Sequence, residues 1–463
     1  MAPFDFIAQQ DIRDARLAFA RSLVEAKDDI VAFVDKRLGW NSTAKYDGFL
    51  KGSFNISLVV KRHDSDEHVV IRFPVPGNIH KPWRDEKVEN EVMVMRCLRD
   101  LTSIPVPLVR DWGLTEDSPE RLGPFIIMDF VQGQDLSDLL QQPTEHQEDA
   151  ILLDPNMDDA KLDFVYDQIA GFMLQLSRLS FSRIGAVSRN ETSGQWHVVT
   201  RRPLTYDMNE LVTLGGCPAD RLPESVAPFD RASHFFCARS QSLQVHLETQ
   251  RNIAGDDEAL AWSQFIARRR FAQLTATHAN SGDETGPFRL FCDDMRPTNM
   301  LVDPETLRIT AVLDLEFTNA MPAQFAEDVP WWLLLQHPAV WIGEGKLEEF
   351  LSLFQPRKEQ FLRAMERVEA TSTQAAAEEE GAEASLSARM RDSWDSGRFW
   401  FNLASRSSFD MDDIYWAVLH QDVVAVGEPD SQALQEKGAF LRRKKAQFDE
   451  YRREKERDER FAV

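Results

Sequence analysis

The sequence predicts a bilobal α+β chain: a small N-terminal lobe with an antiparallel sheet and one helix, then a large, mainly helical C-terminal lobe. Three observations predict it. Short β-rich runs separated by turn residues fill the first third of the chain. Apolar residues at helical spacing dominate from about residue 160 onward. Strand-like pieces return only over 287–317, where they flank a polar loop rich in carboxylates. The lobes divide as 1–132, with a leading helical segment, and 133–463.

The elements follow in order. Residues 11–40 read as helix, with Leu17, Phe19, Leu23, Ile30, Phe33 and Val34 recurring at helical spacing. Phe49-Leu50, the turn Lys51–Asn55 and the run Ile56–Val60 form a strand–turn–strand signal. The polar turn His63–Glu67 leads to a third strand, Val69–Phe73, ended by Pro74 and Pro76. Val88, Val92, Met95 and Leu98 place a helix over Lys87–Leu101, broken by Ile104-Pro105-Val106-Pro107. Phe125–Met128 is a further strand, so the first third reads β-β-β-α-β-β. A polar connector covers 141–159, and Phe164, Ile169, Phe172, Met173, Leu176 and Leu179 mark a long amphipathic helix. Residues 371–387 are low in complexity and read as a mobile insert. The densely charged stretch 431–460 reads as a solvated helix.

The chain has 463 residues, 43% of them hydrophobic, which is ample for a sizeable core. Its formal net charge of −23 argues against nucleic-acid and anionic-membrane partners, and tolerates a cationic small molecule. Cys97, Cys217, Cys237 and Cys292 form no C-x-x-C pair, so no zinc site or disulfide framework is expected. The start carries no basic, apolar leader and no run spans a membrane; the expected compartment is the cytoplasm.

The chemistry concentrates in Cys292-Asp293-Asp294-Met295-Arg296-Pro297-Thr298-Asn299, followed by Leu313-Asp314-Leu315-Glu316. Phosphoryl transfer needs a carboxylate to orient an acceptor hydroxyl and take its proton. It also needs an amide oxygen and a second carboxylate to hold Mg²⁺ against phosphates. In protein kinases the Asp and Asn of the catalytic loop lie five residues apart, and the metal Asp follows on a strand turn. Asp294 and Asn299 have that spacing, and Asp314 follows after a short hairpin turning at Asp303–Thr306. Asp293 stands beside Asp294, but the spacing favours Asp294.

This stretch resembles the catalytic loop of the aminoglycoside-phosphotransferase and choline-kinase superfamily, whose usual form is His-Gly-Asp-Leu-His-Pro-Gly-Asn followed by Ile-Asp-Trp-Glu. Gly133, Leu176 with Leu179, Ile184-Gly185, Arg202–Thr205 and Asp207–Glu210 extend the resemblance to the branch common in filamentous fungi, over about 45–345. The resemblance implies a protein-kinase-like fold using ATP and Mg²⁺. Asp294 is then the catalytic base, with Asn299 and Asp314 as metal ligands. Cys292 replaces the family His and Leu315 the family Trp.

The first lobe should hold the nucleotide. Gly52, Ser53, Phe54 and Asn55 form a loop between two strands whose backbone N–H groups could cover phosphates, without a full G-x-G-x-x-G pattern. In Val69-Val70-Ile71-Arg72, Arg72 occupies the position of the kinase lysine, with Glu91 as its helix partner and Glu89 as the alternative. Met128-Asp129-Phe130-Val131 is the implied hinge, with backbone groups of Asp129 and Val131 on the adenine edge. On the acceptor side the candidates are Tyr206, Asp207, Asn209, Glu210 and Glu316, while Trp331 and Trp332 read as core more than cage. The leading reading is an ATP-dependent transferase acting on a hydroxyl of a small molecule, with a cationic or aminated acceptor as a refinement. Two alternatives stay open: a kinase-like binding module without turnover, and a protein acceptor.

Overall fold

The structure is a computed structural model that describes residues 3–143, 150–278, 283–374, 384–420 and 431–462. Parts of the 141–159 connector and of the 371–387 insert lie outside the described residues. The leading segment forms two helices, α1 (Phe6–Glu25) and α2 (Lys27–Leu38), rather than one helix over 11–40. The chain breaks at Ala26, which has non-helical geometry (φ −85°, ψ 7°). Gly39 ends α2 in the left-handed conformation, and the Asp35 carboxylate accepts from the Ser42, Thr43 and Ala44 N–H groups, turning the chain into the sheet.

The sheet comprises β1 (Ala44–Lys51), β2 (Asn55–Arg62), β3 (His68–Pro74), β4 (Val109–Gly113) and β5 (Phe125–Asp129). Its order is β1-β2-β3-β5-β4, antiparallel throughout, with α3 (Arg84–Leu101) crossing between β3 and β4. The side-chain alternation of strands sorts the residues. Leu58, Val60, Val69, Ile71 and Phe73 point to one face, where they pack with Phe19, Leu23, Ile30 and Val34 of α1 and α2. Val59 and Val70 point to the other face, towards Val88, Val92 and Met95 of α3. The sheet is therefore buried on both sides, which is why its central strands read as unbroken apolar runs.

The second lobe is mainly helical: α4 (Leu136–Leu140), α5 (Asp159–Arg178), α6 (Tyr206–Thr213), α7 (Ala232–Thr249), α8 (Glu258–His278) and the long helices Leu347–Gln374 and Ser431–Arg457. Tyr166 of α5 meets Phe361 edge-on, 5.4 Å between ring centroids. The charged helix Ser431–Arg457 is not merely solvated. It buries Ala433, Phe440, Lys444 and Tyr451, and Lys444 Nζ donates to the Leu247 and Gln250 carbonyls at the end of α7. The start of α1 and the residue before it also reach this lobe: Asp5 N–H donates to Leu214 O (2.8 Å) and Phe6 N–H to Tyr451 Oη (2.9 Å).

Between the lobes, strand Phe288–Phe291 enters the loop 292–299, then the hairpin Met300–Val302 and Ile309–Val312. The Asp303 carboxylate accepts from the Glu305 and Thr306 N–H groups, closing the predicted turn. Strand Asn319–Met321 returns to pair with Phe288–Phe291, so both ends of the loop system share one sheet. The five-stranded sheet, the helix behind β3 and this loop–hairpin–turn unit below it make the kinase-like bilobal fold that the sequence implied.

Candidate active site

One cleft of about 1340 Å³ runs between the lobes and collects most of the predicted residues. At its N-lobe end, Val70, Met128, Leu301 and Leu313 form an apolar slot beside the Asp129–Val131 backbone. The Asp129 N–H is used within the lobe, donating to Leu108 O (3.0 Å), and Phe130 N–H donates to His68 O (3.2 Å). Among the described residues the Val131 N–H has no hydrogen-bond partner. Gly133 comes so near the Met300–Val302 strand that a Cβ there would stand 2.8 Å from Leu301 Cβ, a close approach that requires glycine.

The β1–β2 turn is a tight hairpin: Gly52 N–H donates to Asn55 O (2.9 Å), and Ser53 O accepts from Asn78 Nδ2 (2.8 Å). Phe54 leans from its tip onto Tyr206 and Phe317 of the other lobe, with ring centroids 5.6 and 6.1 Å apart. Gly52, Ser53, Phe54 and Asn55 all line the cleft. Asn55, however, is buried in β2 and its side chain is spent on an ion cluster: its Oδ1 accepts from Lys87 Nζ (2.9 Å), and its Nδ2 donates to Glu316 (3.0 Å).

That cluster is centred on Arg72. Its Nη1 lies 3.1 Å from Glu91, and its Nη2 lies 2.6 Å from Asp314 and 3.2 Å from Glu316. Burial works against the charge, but the three carboxylates outweigh it and hold the guanidinium protonated. Glu91 is thus the helix partner, while Glu89 turns outward to Arg201 (3.1 Å). Lys87, one turn before Glu91, is buried and pairs with both Glu91 (3.1 Å) and Glu316. Sequence reasoning missed Lys87. The available signal was a cation four residues before Glu91 on the buried face of α3.

Glu316 is therefore not an acceptor-side residue. It is buried among Lys87, Arg72 and Asn55. Burial alone would raise its carboxyl, but those two cations and the Asn55 hydrogen bond bring it below the usual range. Asp207 also departs from the expectation: it is buried, joined to Arg239 Nη2, and accepts from the Ser408 N–H (2.6 Å) and Oγ (2.8 Å). Its acceptor capacity is used inside the fold. Asn209 is likewise structural, tying Asn78 O (2.7 Å) and the His80 N–H (3.0 Å).

Asp294 lies in the cleft with Asn299 Nδ2 on its Oδ2 (2.7 Å) and Arg296 Nε on its Oδ1 (2.7 Å). Burial pushes its carboxyl up to about 6 against the pull of Arg296 and Asn299; nearby Asp314 and Asp293 add to the rise. Asp293 also lines the cleft but pairs with Arg406 Nη1, while its carbonyl accepts from Trp331 Nε1 (3.3 Å). Cys292 is buried, and burial raises its thiol to about 12. It occupies a supporting position under the loop. Leu313 N–H donates to Asn299 O (2.8 Å), fixing the two predicted metal ligands to one another through the backbone. Asp314 adopts φ 53°, a left-handed conformation that Asp tolerates better than most residues; its carboxylate is 40% exposed.

The residues present fit a magnesium nucleotide. Asn299 spends its Nδ2 on Asp294, and among the described residues nothing uses its Oδ1. With Asp314 this makes one amide oxygen and one carboxylate, the hard-oxygen set that Mg²⁺ takes when phosphates and water complete its shell. Among the described residues no group of three or more His, Cys, Asp and Glu is placed to hold a metal ion by itself.

At the far end the cleft is lined by Tyr206, Glu210, Asp410, Trp331, His337 and Phe409. Tyr206 Oη donates to Glu210 Oε1 (2.7 Å). Burial, with Asp207 and Asp410 adding, raises Glu210 to about 8 in spite of that bond. The two tryptophans separate: Trp331 faces the cleft with Arg296 over its ring at 5.7 Å, and Trp332 is core. No described helix is long and apolar enough to cross a membrane.

No family model matches the chain. It is 28% identical over 292 residues, 60% of its length, to Clavilactone A biosynthesis cluster protein Y of Ampulloclitocybe clavipes, of which it covers 62%. It is 20% identical over 331 residues, 64% of its length, to Altered inheritance of mitochondria protein 9, mitochondrial, of Lachancea thermotolerans, covering 52% of that protein. The chain thus spans less than two thirds of either relative. Among solved structures it is similar to a thermostable mutant of aminoglycoside phosphotransferase APH(4)-Ia in ternary complex with ADP and hygromycin B. That likeness has 13% identity, coverage of 91% of this chain and 98% of that one, and a TM-score of 0.42. It is also similar to choline kinase from Cryptosporidium parvum, with 11% identity, coverage of 87% and 97%, and a TM-score of 0.43.

Proposed function

We propose that this chain is an ATP- and Mg²⁺-dependent phosphotransferase acting on a hydroxyl group of a small molecule. The observation that carries the reading is the convergence of Asp294, Asn299, Asp314 and Arg72 on one cleft, from two lobes and three separate stretches of sequence. Bound MgATP would supply the phosphoryl group and neutralise the charge that develops as it moves.

The chain's own residues divide the remaining work. The slot of Val70, Met128, Leu301 and Leu313 takes the base, with the Val131 N–H as a donor to its edge. Arg72 reaches the phosphates from β3, and Asn299 Oδ1 with the Asp314 carboxylate holds the metal. Asp294 receives the acceptor's hydroxyl proton, and its oxygens are aimed by Asn299 and Arg296. Phe54, resting on Tyr206 and Phe317, screens the transfer region from water. Tyr206, Trp331, Glu210 and Asp410 surround the acceptor end with rings and carboxyl groups, which suits a molecule bearing an amine as well as a hydroxyl.

The test is a thermal shift followed by transfer. The wild-type chain should melt higher with ATP and Mg²⁺, by an amount corresponding to about 2.7 kcal/mol at a hundred times Kd. Asp314→Ala should lose the magnesium-dependent part. Asp294→Asn should keep nucleotide binding and lose transfer to amino-alcohol acceptors. Absence of any nucleotide shift in the folded wild-type chain would sink the proposal. Binding without transfer to any hydroxyl acceptor would return the chain to the binding-module reading.

A further inference from the structure

We infer that Lys87 is a positioning residue of the nucleotide site: a fixed counter-charge that lets Arg72 exchange carboxylates for phosphates. The inference rests on the phosphotransferase reading and extends it to a residue that does not touch the cleft.

The cluster holds two cations, Arg72 and Lys87, against three carboxylates, Glu91, Glu316 and Asp314. The cations differ in freedom. Arg72 lines the cleft, and its Nη2 is shared between Asp314 and Glu316. Lys87 lies behind it and is buried; its ammonium meets Asn55 Oδ1, Glu91 and Glu316, which occupy its three donors. It has no donor left for a phosphate.

Nucleotide and metal place a demand on this arrangement. Asp314 must leave Arg72 to ligate the metal, and Arg72 Nη2 must turn to the phosphates. Glu91 keeps Arg72 Nη1, but Glu316 loses Arg72. A buried carboxylate stripped of its cation is costly. Lys87 and Asn55 Nδ2 remain on Glu316 through the exchange, so no uncompensated buried charge appears. Lys87 thus makes the partner exchange of Arg72 possible without moving itself.

The experiment measures MgATP binding to the full chain by titration calorimetry, with melting temperatures taken in the absence of nucleotide. Lys87→Met should weaken binding by about tenfold or more, because Glu316 then depends on Arg72. The double variant Lys87→Met/Glu316→Gln removes the carboxylate that would be stranded and should recover most of the lost affinity. A purely structural lysine predicts no recovery. The double variant also keeps the test open should Lys87→Met alone fail to fold, since it then must fold and bind within about tenfold of wild type. Lys87→Met binding within about twofold of wild type, or a double variant no better than the single, overturns the inference and leaves the phosphotransferase reading intact. No saturable binding by the wild-type chain overturns both, and is told apart by that control.

Discussion

Asp293 and Asp294 are chemically identical neighbours, and their partners assign them different work. Arg406 pairs with the Asp293 carboxylate and Trp331 with its carbonyl, whereas Asn299 and Arg296 hold the two oxygens of the Asp294 carboxylate. Glu210 shows the same dependence on surroundings. Its folded-state carboxyl, at about 8, lies above the usual value of 4.5 because of burial. A raised acid favours the folded state fully below its unfolded value, and the advantage is lost as pH rises through the folded value. The wild-type chain should therefore lose stability relative to Glu210→Gln between about pH 5 and 9. Thermal melts of both proteins across that range check it; parallel curves would show that Glu210 ionises normally. An amine bound at this end of the cleft would draw the proton off Glu210, so melts with an aminated acceptor should show a smaller difference at neutral pH.

At the scale of elements, the two leading helices do more than precede the sheet. They cover its outer face, and Arg16 of α1 donates to Gly52 O (3.0 Å) at the hairpin over the cleft. Asp5 caps α1: its carboxylate accepts from the Ile7 and Ala8 N–H groups (2.9 and 3.1 Å). Asp5→Ala should cost about 1 kcal/mol of stability, measured by urea unfolding. The hairpin stays fixed through Arg16, so MgATP affinity should change little. A large loss of affinity would mean that the start of α1 orders the whole N-terminal lobe. The helix Ser431–Arg457 teaches a related point. Its charged composition hides a thin apolar seam, Ala433, Phe440 and Tyr451, which is enough to seat it on the second lobe.

Across the whole molecule, the cores that join the lobes are continuous. The sheet's inner face, α3 and most of the second lobe share one cluster, and α6 with the last long helix forms another. The cysteines sample these cores: Cys97 and Cys292 lie in the first, Cys217 in the second, and Cys237 is exposed. Burial raises the Cys97, Cys217 and Cys292 thiols, to about 12, 11 and 12. A thiol reagent should titrate Cys237 rapidly in the native protein. The other three should appear together only in denaturant, because thiolate fraction and access both fail in the folded state. Early reaction of Cys217 alone would show that its cluster opens independently of the rest.

Local and closely spaced features are written in the order of residues. Five-residue spacing placed Asp294 and Asn299 together, the Asp303 turn marked the hairpin to Asp314, and β-rich runs located the central strands. Each is set by backbone geometry over a few residues. Tertiary structure alone decided which charges meet. Asn55, Arg72, Lys87 and Glu316 come from β2, β3, α3 and the turn after the hairpin, up to 261 positions apart in the chain, and no periodicity connects them. It also decided that Glu316 and Asp207 would be paired with buried cations while the Glu210 carboxyl meets the Tyr206 hydroxyl. A carboxylate written in sequence carries no record of the cation that will be packed against it. Burial and pairing, which set its charge and its availability, exist only once distant segments have closed around it.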